Sequence, residues 1–247
     1  MTALILALVA GAVIGLALGG LGGGGSVLAV PALIYMLHFT PAEATTASLV
    51  IVTLTSVSAL VGHARDGNVA WRTGMLFAAA GIVPAMLAGA AAGHLPQSML
   101  TLSFALIAAL AALRMLRPAR SEPSGTVNPG KAGAAGAGLG AVTGFLGVGG
   151  GFLAVPALVS VLSLPMRRAV GTSLLVITIN SLAALAARAG TGTHLDWAVI
   201  APFTAAAILG AWDGKRLSKK IGGHTLQRLF AYLLLAVAAF MLVDVIA

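Results

Sequence analysis

Long apolar stretches are the feature that most constrains what this chain can fold into. Several of them exceed the roughly 18 residues that an apolar helix needs to span a lipid bilayer. Hydrophobic residues make up 59% of the sequence and charged residues only 8%, whereas soluble domains carry about 25% charged residues. The stretches are rich in Ala and Leu and lack the alternation of apolar and polar residues that barrel strands require. The sequence therefore predicts an all-α polytopic membrane protein.

Hydropathy divides the chain into ten segments that are grouped in two halves. The segments cover residues 3–20, 26–39, 43–62, 73–93, 97–116, 132–146, 152–164, 168–188, 196–212 and 225–246. Between 117 and 131 lies the one long polar connection, which is rich in proline and basic residues. We therefore predict a first transmembrane repeat at 1–116, a cytoplasmic linker at 117–131 and a second transmembrane repeat at 132–247.

The two halves are copies of one another. A glycine-rich stretch followed by Val-Pro-Ala-Leu occurs at 22–33 and again at 147–158, so that equivalent residues are 125 positions apart. Over 21–63, about 18 of the 43 aligned positions are identical, which exceeds what shared apolar composition would produce. The sequence therefore predicts a duplicated fold with one glycine break in each half.

The distribution of basic residues predicts how the halves are oriented. If each half crosses the membrane five times, 13 of the 14 basic residues fall on the same side as the linker and only Arg188 falls on the other. With four crossings per half, seven fall on each side. Basic residues collect on the cytoplasmic side of membrane proteins, so we predict five segments per half. An odd number of crossings makes the two repeats inverted with respect to each other.

The segments that follow the glycine breaks are too short to cross a bilayer upright. At about 1.5 Å per residue, 26–39 extends about 21 Å and 152–164 about 20 Å, whereas the hydrocarbon core is about 30 Å thick. The breaks must therefore lie within the membrane, and inverted repeats bring them to its middle from opposite sides. Interrupted helices at equivalent places in two inverted halves are typical of transport sites.

The glycine breaks suit an anion. The N-terminus of a helix carries unpaired N–H groups and a partial positive charge, and glycine lets a ligand approach those groups closely. Ser and Thr on the helices beside the breaks can donate hydrogen bonds without adding charge. The candidate substrate-binding residues are Gly22, Gly24, Gly25, Ser26, Thr46, Ser48, Gly149, Gly150, Gly151, Thr172, Ser173 and Asn180.

Outside the breaks the sequence offers little chemistry. For His63 a role at the edge of a loop is favoured over one in transport, and Asp213 is expected to be solvated or to pair with Lys215 or Arg216. The chain has no cysteine, and no histidine spacing resembles a metal site. No apolar segment contains a nucleophile with a base or two carboxylates, so no enzymatic activity, metal or cofactor is predicted.

At the glycine motifs the sequence resembles the sulfite exporter TauE/SafE family of membrane permeases. The stretches 22–33 and 147–158 carry the resemblance together with Gly171-Thr172-Ser173, and it covers essentially the whole chain. It implies a transporter of small sulfur-containing anions, such as sulfite and sulfonates, in the bacterial inner membrane. Export is the direction that the resemblance implies.

Together these features predict a multi-pass secondary transporter of the inner membrane that works by alternating access. Its partners are the lipid bilayer, a small anionic substrate and a coupling ion that is either a proton or sodium; a homodimer stays open. Despite the net charge of +8, nucleic acid is not expected, because the basic residues lie between apolar segments and are explained by topology. An anion channel is the main alternative, and a structural membrane subunit is a weaker one.

Overall fold

The computed structural model of this protein describes residues 2–92, 97–116, 129–146, 151–188 and 195–246. These residues form ten α-helices and no strand. The helices are α1 (Thr2–Leu21), α2 (Gly24–Pro31), α3 (Pro41–Arg65), α4 (Trp71–Ala92), α5 (Gln97–Leu116), α6 (Pro129–Leu146), α7 (Gly151–Ser160), α8 (Met166–Arg188), α9 (Trp197–Lys220) and α10 (Gly223–Ile246). Each predicted apolar segment corresponds to one helix, so the all-α prediction is confirmed.

The surface and the helix lengths both fit a lipid environment. Six helices in the described residues are long and apolar enough to cross a membrane: α1, α3, α4, α8, α9 and α10. Large apolar side chains point outward, and Val83, Met86 and Leu87 of α4 are between 63% and 69% exposed. Water would leave this apolar surface uncovered, whereas lipid tails cover it. The chain is therefore a multi-pass membrane protein.

The helices that follow the glycine breaks, α2 and α7, are short. α2 has eight residues and continues at Pro31 into a π-helical turn over Ala32–Met36. α7 has ten residues, with Pro156 inside it. Proline has no N–H to donate to the carbonyl four residues earlier, which loosens a helix at that point. Neither helix is long enough to span a bilayer by itself, as the sequence predicted.

α9 differs most from its predicted segment, which ended at residue 212. The helix begins after Asp196, whose Oδ1 accepts a hydrogen bond from the second residue of the helix at 3.0 Å. It then continues through a largely charged stretch to Lys220. Those residues end the apolar pattern but not the helix, because Lys and Arg are good helix formers and are stabilised near a helix C-terminus. The extension carries Lys215 and Lys219 to the end of α3.

The two halves pack together through helices of one half that lie along helices of the other. α1 of the first half lies along α9 of the second, and α4 lies along α6 in the reciprocal way. A Cβ added at Gly15 or Gly19 of α1 would overlap the α9 backbone, and one added at Gly140 of α6 would overlap the α4 backbone at Gly81. Close contact between backbones at glycine is typical of helix packing in membranes.

α3 and α8, which are equivalent in the duplication, run antiparallel beside each other. Ser56 Oγ of α3 lies 3.0 Å from Thr178 Oγ1 of α8. His63 lies two turns after Ser56 in α3, and Gly171 lies two turns before Thr178 in α8. A Cβ added at Gly171 would be 3.3 Å from His63 Cβ. Residue numbers thus rise along one helix as they fall along the other. α2 packs against α3 and α7 against α8, so the two short helices lie beside this central pair.

Candidate functional site

The chain turns sharply at the first glycine break. α1 ends at Leu21, Gly22 has a φ of +76°, and α2 begins two residues later at Gly24. Gly22 N donates a hydrogen bond to Leu18 O at 2.8 Å, which closes the end of α1. A left-handed residue at this position is a common way to end a helix, and glycine adopts it without the strain that a side chain would add. Gly22 thereby lets α1 end and α2 begin inside the fold.

The start of α2 contacts the start of α7. A Cβ added at Gly23, just before α2, would overlap Gly151 O. A Cβ added at Gly151, the first residue of α7, would lie 2.8 Å from Ser26 Oγ. The backbones approach so closely because neither glycine has a side chain. The structure therefore brings the starts of the two short helices together; Gly149 and Gly150 lie outside the described residues.

Ser173 of α8 lies against the first break. A Cβ added at Gly22 would be 2.5 Å from Ser173 Oγ, and Ser173 is fully buried. Its Oγ donates to Val170 O at 2.8 Å, and Ser26 Oγ donates to Gly23 O at 2.7 Å. A hydroxyl rotates about its C–O bond, so each can turn from its own backbone carbonyl to a ligand.

These residues form what we call the glycine-break site: Gly22, Gly23, Ser26, Gly151 and Ser173. All are buried except Ser26, which is half-buried, and none carries a charge. The first N–H groups of α2 have no carbonyl within their own helix to bond to. The site can therefore offer backbone N–H groups and hydroxyls to an anion.

Gly25 and Thr172, two further candidates, make contacts between helices. A Cβ added at Gly25 would lie 2.5 Å from Ile14 O and from Leu18 Cβ, so this glycine lets α2 pack closely on α1. Thr172 Oγ1 accepts a hydrogen bond from Ala70 N at 3.0 Å, just before α4. The structure thus gives both residues partners away from the contact between α2 and α7.

Thr46, Ser48 and Asn180 lie elsewhere on the pair formed by α3 and α8. Because these helices are antiparallel, Thr46 and Ser48 stand at the opposite end of the pair from Ser173. Their hydroxyls donate to carbonyls of the preceding turn of α3, at 3.0 Å and 2.8 Å. Asn180 is half-buried on α8. The structure does not bring these three candidates to the glycine-break site.

Buried hydroxyls lie on both α3 and α8. Besides the hydrogen bond between Ser56 and Thr178, Thr55 Oγ1 and Ser181 Oγ are buried and have no hydrogen-bond partner among the described residues. Most buried hydroxyls are paired, because an unpaired one loses its hydrogen bonds to water. The central helix pair therefore offers hydrogen-bonding groups in addition to the predicted candidates.

A cluster of charged residues at the end of α3 was not predicted. Asp66 Oδ2 accepts hydrogen bonds from Lys215 Nζ at 2.8 Å and from Lys219 Nζ at 2.9 Å, and these bonds lower the pKa of Asp66 to about 2. Asp213, expected to pair with Lys215 or Arg216, pairs with Arg216 at 3.2 Å. The sequence holds one signal of the cluster, the four-residue spacing that puts Lys215 and Lys219 on one face of α9.

Residues 7–241, nearly the whole sequence, match the family described as sulfite exporter TauE/SafE. The chain belongs to the TauE/SafE family. A probable membrane transporter protein of Xylella fastidiosa (strain 9a5c) is 34% identical over 251 residues, which cover 97% of this chain and 95% of the relative. The probable membrane transporter protein YunE of Bacillus subtilis (strain 168) is 27% identical over 245 residues, which cover 88% of this chain and 86% of the relative.

Membership of the TauE/SafE family makes this protein a membrane transporter and not an enzyme, as the sequence predicted. The family match runs from α1 into α10 and so includes both halves and both glycine breaks. The resemblance noted at the glycine motifs is thereby confirmed.

Proposed function

We propose that this TauE/SafE transporter carries small sulfur-containing oxyanions, such as sulfite or organosulfonates, across the inner membrane by alternating access. The observation that supports this most is the contact between the starts of α2 and α7 at the glycine-break site. Two helix N-termini face one small region, and each adds a partial positive charge there. An oxyanion has several acceptor oxygens, which match the backbone N–H groups and the hydroxyls of Ser26 and Ser173.

The proposed mechanism needs two repeats that are inverted in the membrane, and two observations support that arrangement. The equivalent helices α3 and α8 run antiparallel. Gln227 Nε2, at the start of α10, donates to Met115 O, at the end of α5, at 2.7 Å. Five crossings per half require those two ends to lie on the same side, whereas four crossings would put them on opposite sides.

Rocking of one half against the other would expose the glycine-break site to each side in turn. The short helix of each half touches the other half: α2 contacts α7 and α10, and α7 contacts α2 and α5. A rotation between the halves therefore changes the surroundings of both helix N-termini at once. The gradient of the substrate, of protons or of sodium would drive the cycle.

Counterflow in proteoliposomes tests the proposal and separates a carrier from a channel. Vesicles preloaded with unlabelled sulfite should transiently accumulate labelled sulfite above its outside concentration, because a carrier exchanges bound ligand across the membrane. A channel lets the label only equilibrate, and a structural subunit gives no uptake above that of empty vesicles. Competition by sulfate, thiosulfate and methanesulfonate ranks the anions. No uptake of any of them would refute the proposed function.

Gly151→Ala is the sharpest variant for the glycine-break site. The added Cβ would lie 2.7 Å from Ile177 Cγ1 and 2.8 Å from Ser26 Oγ, which are side-chain atoms that can shift while the space between the breaks shrinks. We expect sulfite counterflow to fall by about tenfold, equivalent to about 1.4 kcal/mol. Gly138→Ala in α6, where a Cβ has nothing within 4 Å, is the control and should transport normally. Undiminished counterflow in Gly151→Ala would mean that the anion does not bind at the glycine-break site.

A further inference from the structure

A small charged pocket at the end of α3 has no assigned role. We call it the lysine pocket, and the residues that define it are His63, Asp66, Arg167, Lys215 and Lys219. Arg167 Nη2 donates to Lys219 O at 3.0 Å, which joins the start of α8 to the end of α9. With three cationic side chains and one carboxylate, the pocket carries a net positive charge.

Asp66 lies in the lysine pocket in the way that a bound oxyanion would. A single carboxylate oxygen accepts hydrogen bonds from Lys215 Nζ at 2.8 Å and Lys219 Nζ at 2.9 Å. Lys215 Nζ also donates to Gly62 O at 2.5 Å, so its ammonium group is held in place even without Asp66. The side chain of Lys219 is 53% exposed and that of Lys215 only 17%. The pocket is therefore open on the side of Lys219.

His63 gives a second, independent sign of a missing ligand. It is only 4% exposed, and its Nε2 lies 3.0 Å from Gly19 O. A carbonyl only accepts, so Nε2 carries the hydrogen and Nδ1 of the neutral ring is left as an acceptor. Nδ1 is buried and has no hydrogen-bond partner among the described residues. A protonated oxygen of an oxyanion, or a water held beside one, would supply the missing donor.

The lysine pocket adjoins the glycine-break site and belongs to one end of the fold only. Gly20 and Val170 line it, and a Cβ added at Gly22 would lie 3.3 Å from Val170 Cα. In the duplication, with Trp71 aligned to Trp197, the two lysines correspond to two glycines of the first half, Gly89 and Gly93. The first half therefore has no lysine at the positions equivalent to Lys215 and Lys219.

We propose that the lysine pocket is an antechamber that binds the transported oxyanion, which displaces the Asp66 carboxylate from Lys215 and Lys219. The identity of the anion rests on the proposed function, whereas binding in the pocket can be measured without transport. Exchanging one anion for another keeps the two ammonium groups paired throughout, which avoids leaving partly buried charges alone. In the predicted topology the pocket faces the cytoplasm, where an exporter takes up its substrate.

Asp66→Asn is the decisive variant, because it removes the competing charge and keeps the shape of the side chain. Titration calorimetry of sulfite with the purified full-length protein at low ionic strength should give about tenfold tighter binding than in the wild type. Adding Lys219→Gln to Asp66→Asn should reverse this gain. Asp213→Asn breaks an exposed ion pair on α9; it is the matched control and should leave the affinity unchanged.

The outcomes separate this inference from the proposed function. Unchanged affinity for sulfite in Asp66→Asn, or an equal gain in Asp213→Asn, would overturn the proposed role of the lysine pocket. If Asp66→Asn does not fold, Lys219→Gln alone must weaken sulfite binding for the inference to stand. Tighter binding in Asp66→Asn without any sulfite counterflow in the wild type would refute transport and support the pocket. Normal counterflow in the wild type, with unaltered binding in Asp66→Asn and Asp213→Asn, would support transport and refute the role of the pocket.

Discussion

Two glycines with a positive φ serve different purposes at the residue scale. Gly22 has a φ of +76° and Gly67 a φ of +70°, so a side chain at either position is strained. A Cβ at Gly67 would have nothing within 4 Å, whereas one at Gly22 would lie 2.5 Å from Ser173 Oγ. Gly67 is needed only for the turn between α3 and α4. Gly22 is needed both for its turn and for the close approach of α8.

This difference predicts unequal effects of the same substitution. We expect Gly67→Ala to lower the free energy of unfolding by about 1–2 kcal/mol, the cost of the left-handed conformation. Gly22→Ala should lower it by clearly more, because the methyl group also meets Ser173. Thermal unfolding in detergent measures both. Adding Ser173→Ala to Gly22→Ala should recover only the steric part. Equal losses for the two single variants would mean that Ser173 moves aside freely.

Asp66 predicts a specific acid sensitivity. Lys215 and Lys219 lower its pKa from 3.8 to about 2, so the ionised carboxylate stabilises the folded state above about pH 3.8. That contribution is lost as the pH falls toward 2. Asp66→Asn should therefore lower the Tm at neutral pH, and the gap to the wild type should close on acidification. A gap that stays constant with pH would contradict this account of the pair.

A sequence pattern can predict that a residue belongs to the site only when the pattern also indicates which part of the chain the residue will contact. The duplication marks Gly22 and Gly151, because a break in each half leaves a visible repeat. Gly25 and Thr172 belong to the same motifs, yet their partners are set by the packing of α1 and by the start of α4. No motif states which helix will lie beside a hydroxyl.

α6 offers a matched test at the scale of elements. Gly140 and Gly138 lie on one helix, but a Cβ at Gly140 would overlap the backbone of Gly81 in α4, and one at Gly138 would have nothing within 4 Å. We expect Gly140→Val to destabilise the protein by about 1–3 kcal/mol or more, because it forces α4 and α6 apart. Gly138→Val should change stability by about 0.5 kcal/mol or less. Thermal unfolding in detergent compares them, and similar losses would contradict the close packing.

The ends of elements show where hydropathy stops being informative. It placed all ten helices, because burial in lipid requires apolar runs. It ended the ninth segment at 212, although α9 continues to Lys220, because a helix that leaves the membrane needs helix-forming residues and not apolar ones. The ion pairs of Asp66 were therefore missed, since they form on that extension.

The orientation of the repeats can be tested on the whole molecule. The chain has no cysteine, so single cysteines report their side of the membrane without background. We expect Gly125→Cys in the linker and Gly222→Cys between α9 and α10 to react with an impermeant maleimide from the cytoplasmic side only. Four crossings per half would put the two positions on opposite sides. Labelling of only one of the two in intact cells would overturn the inverted arrangement, and labelling of both would overturn the cytoplasmic placement of the linker.

The packing of α1 on α9 and of α4 on α6 affects the order in which the helices can assemble in the membrane. α1 is synthesised well before α9, so its glycine face can pack against α9 only after the helices between them have been inserted. α4 and α6 are close in the sequence and can pair much earlier. Assembly in the membrane therefore begins around the middle of the chain and closes with its first helix. A chain cut short before α9 would leave α1 with an open face, ready to pair with the second half of another molecule.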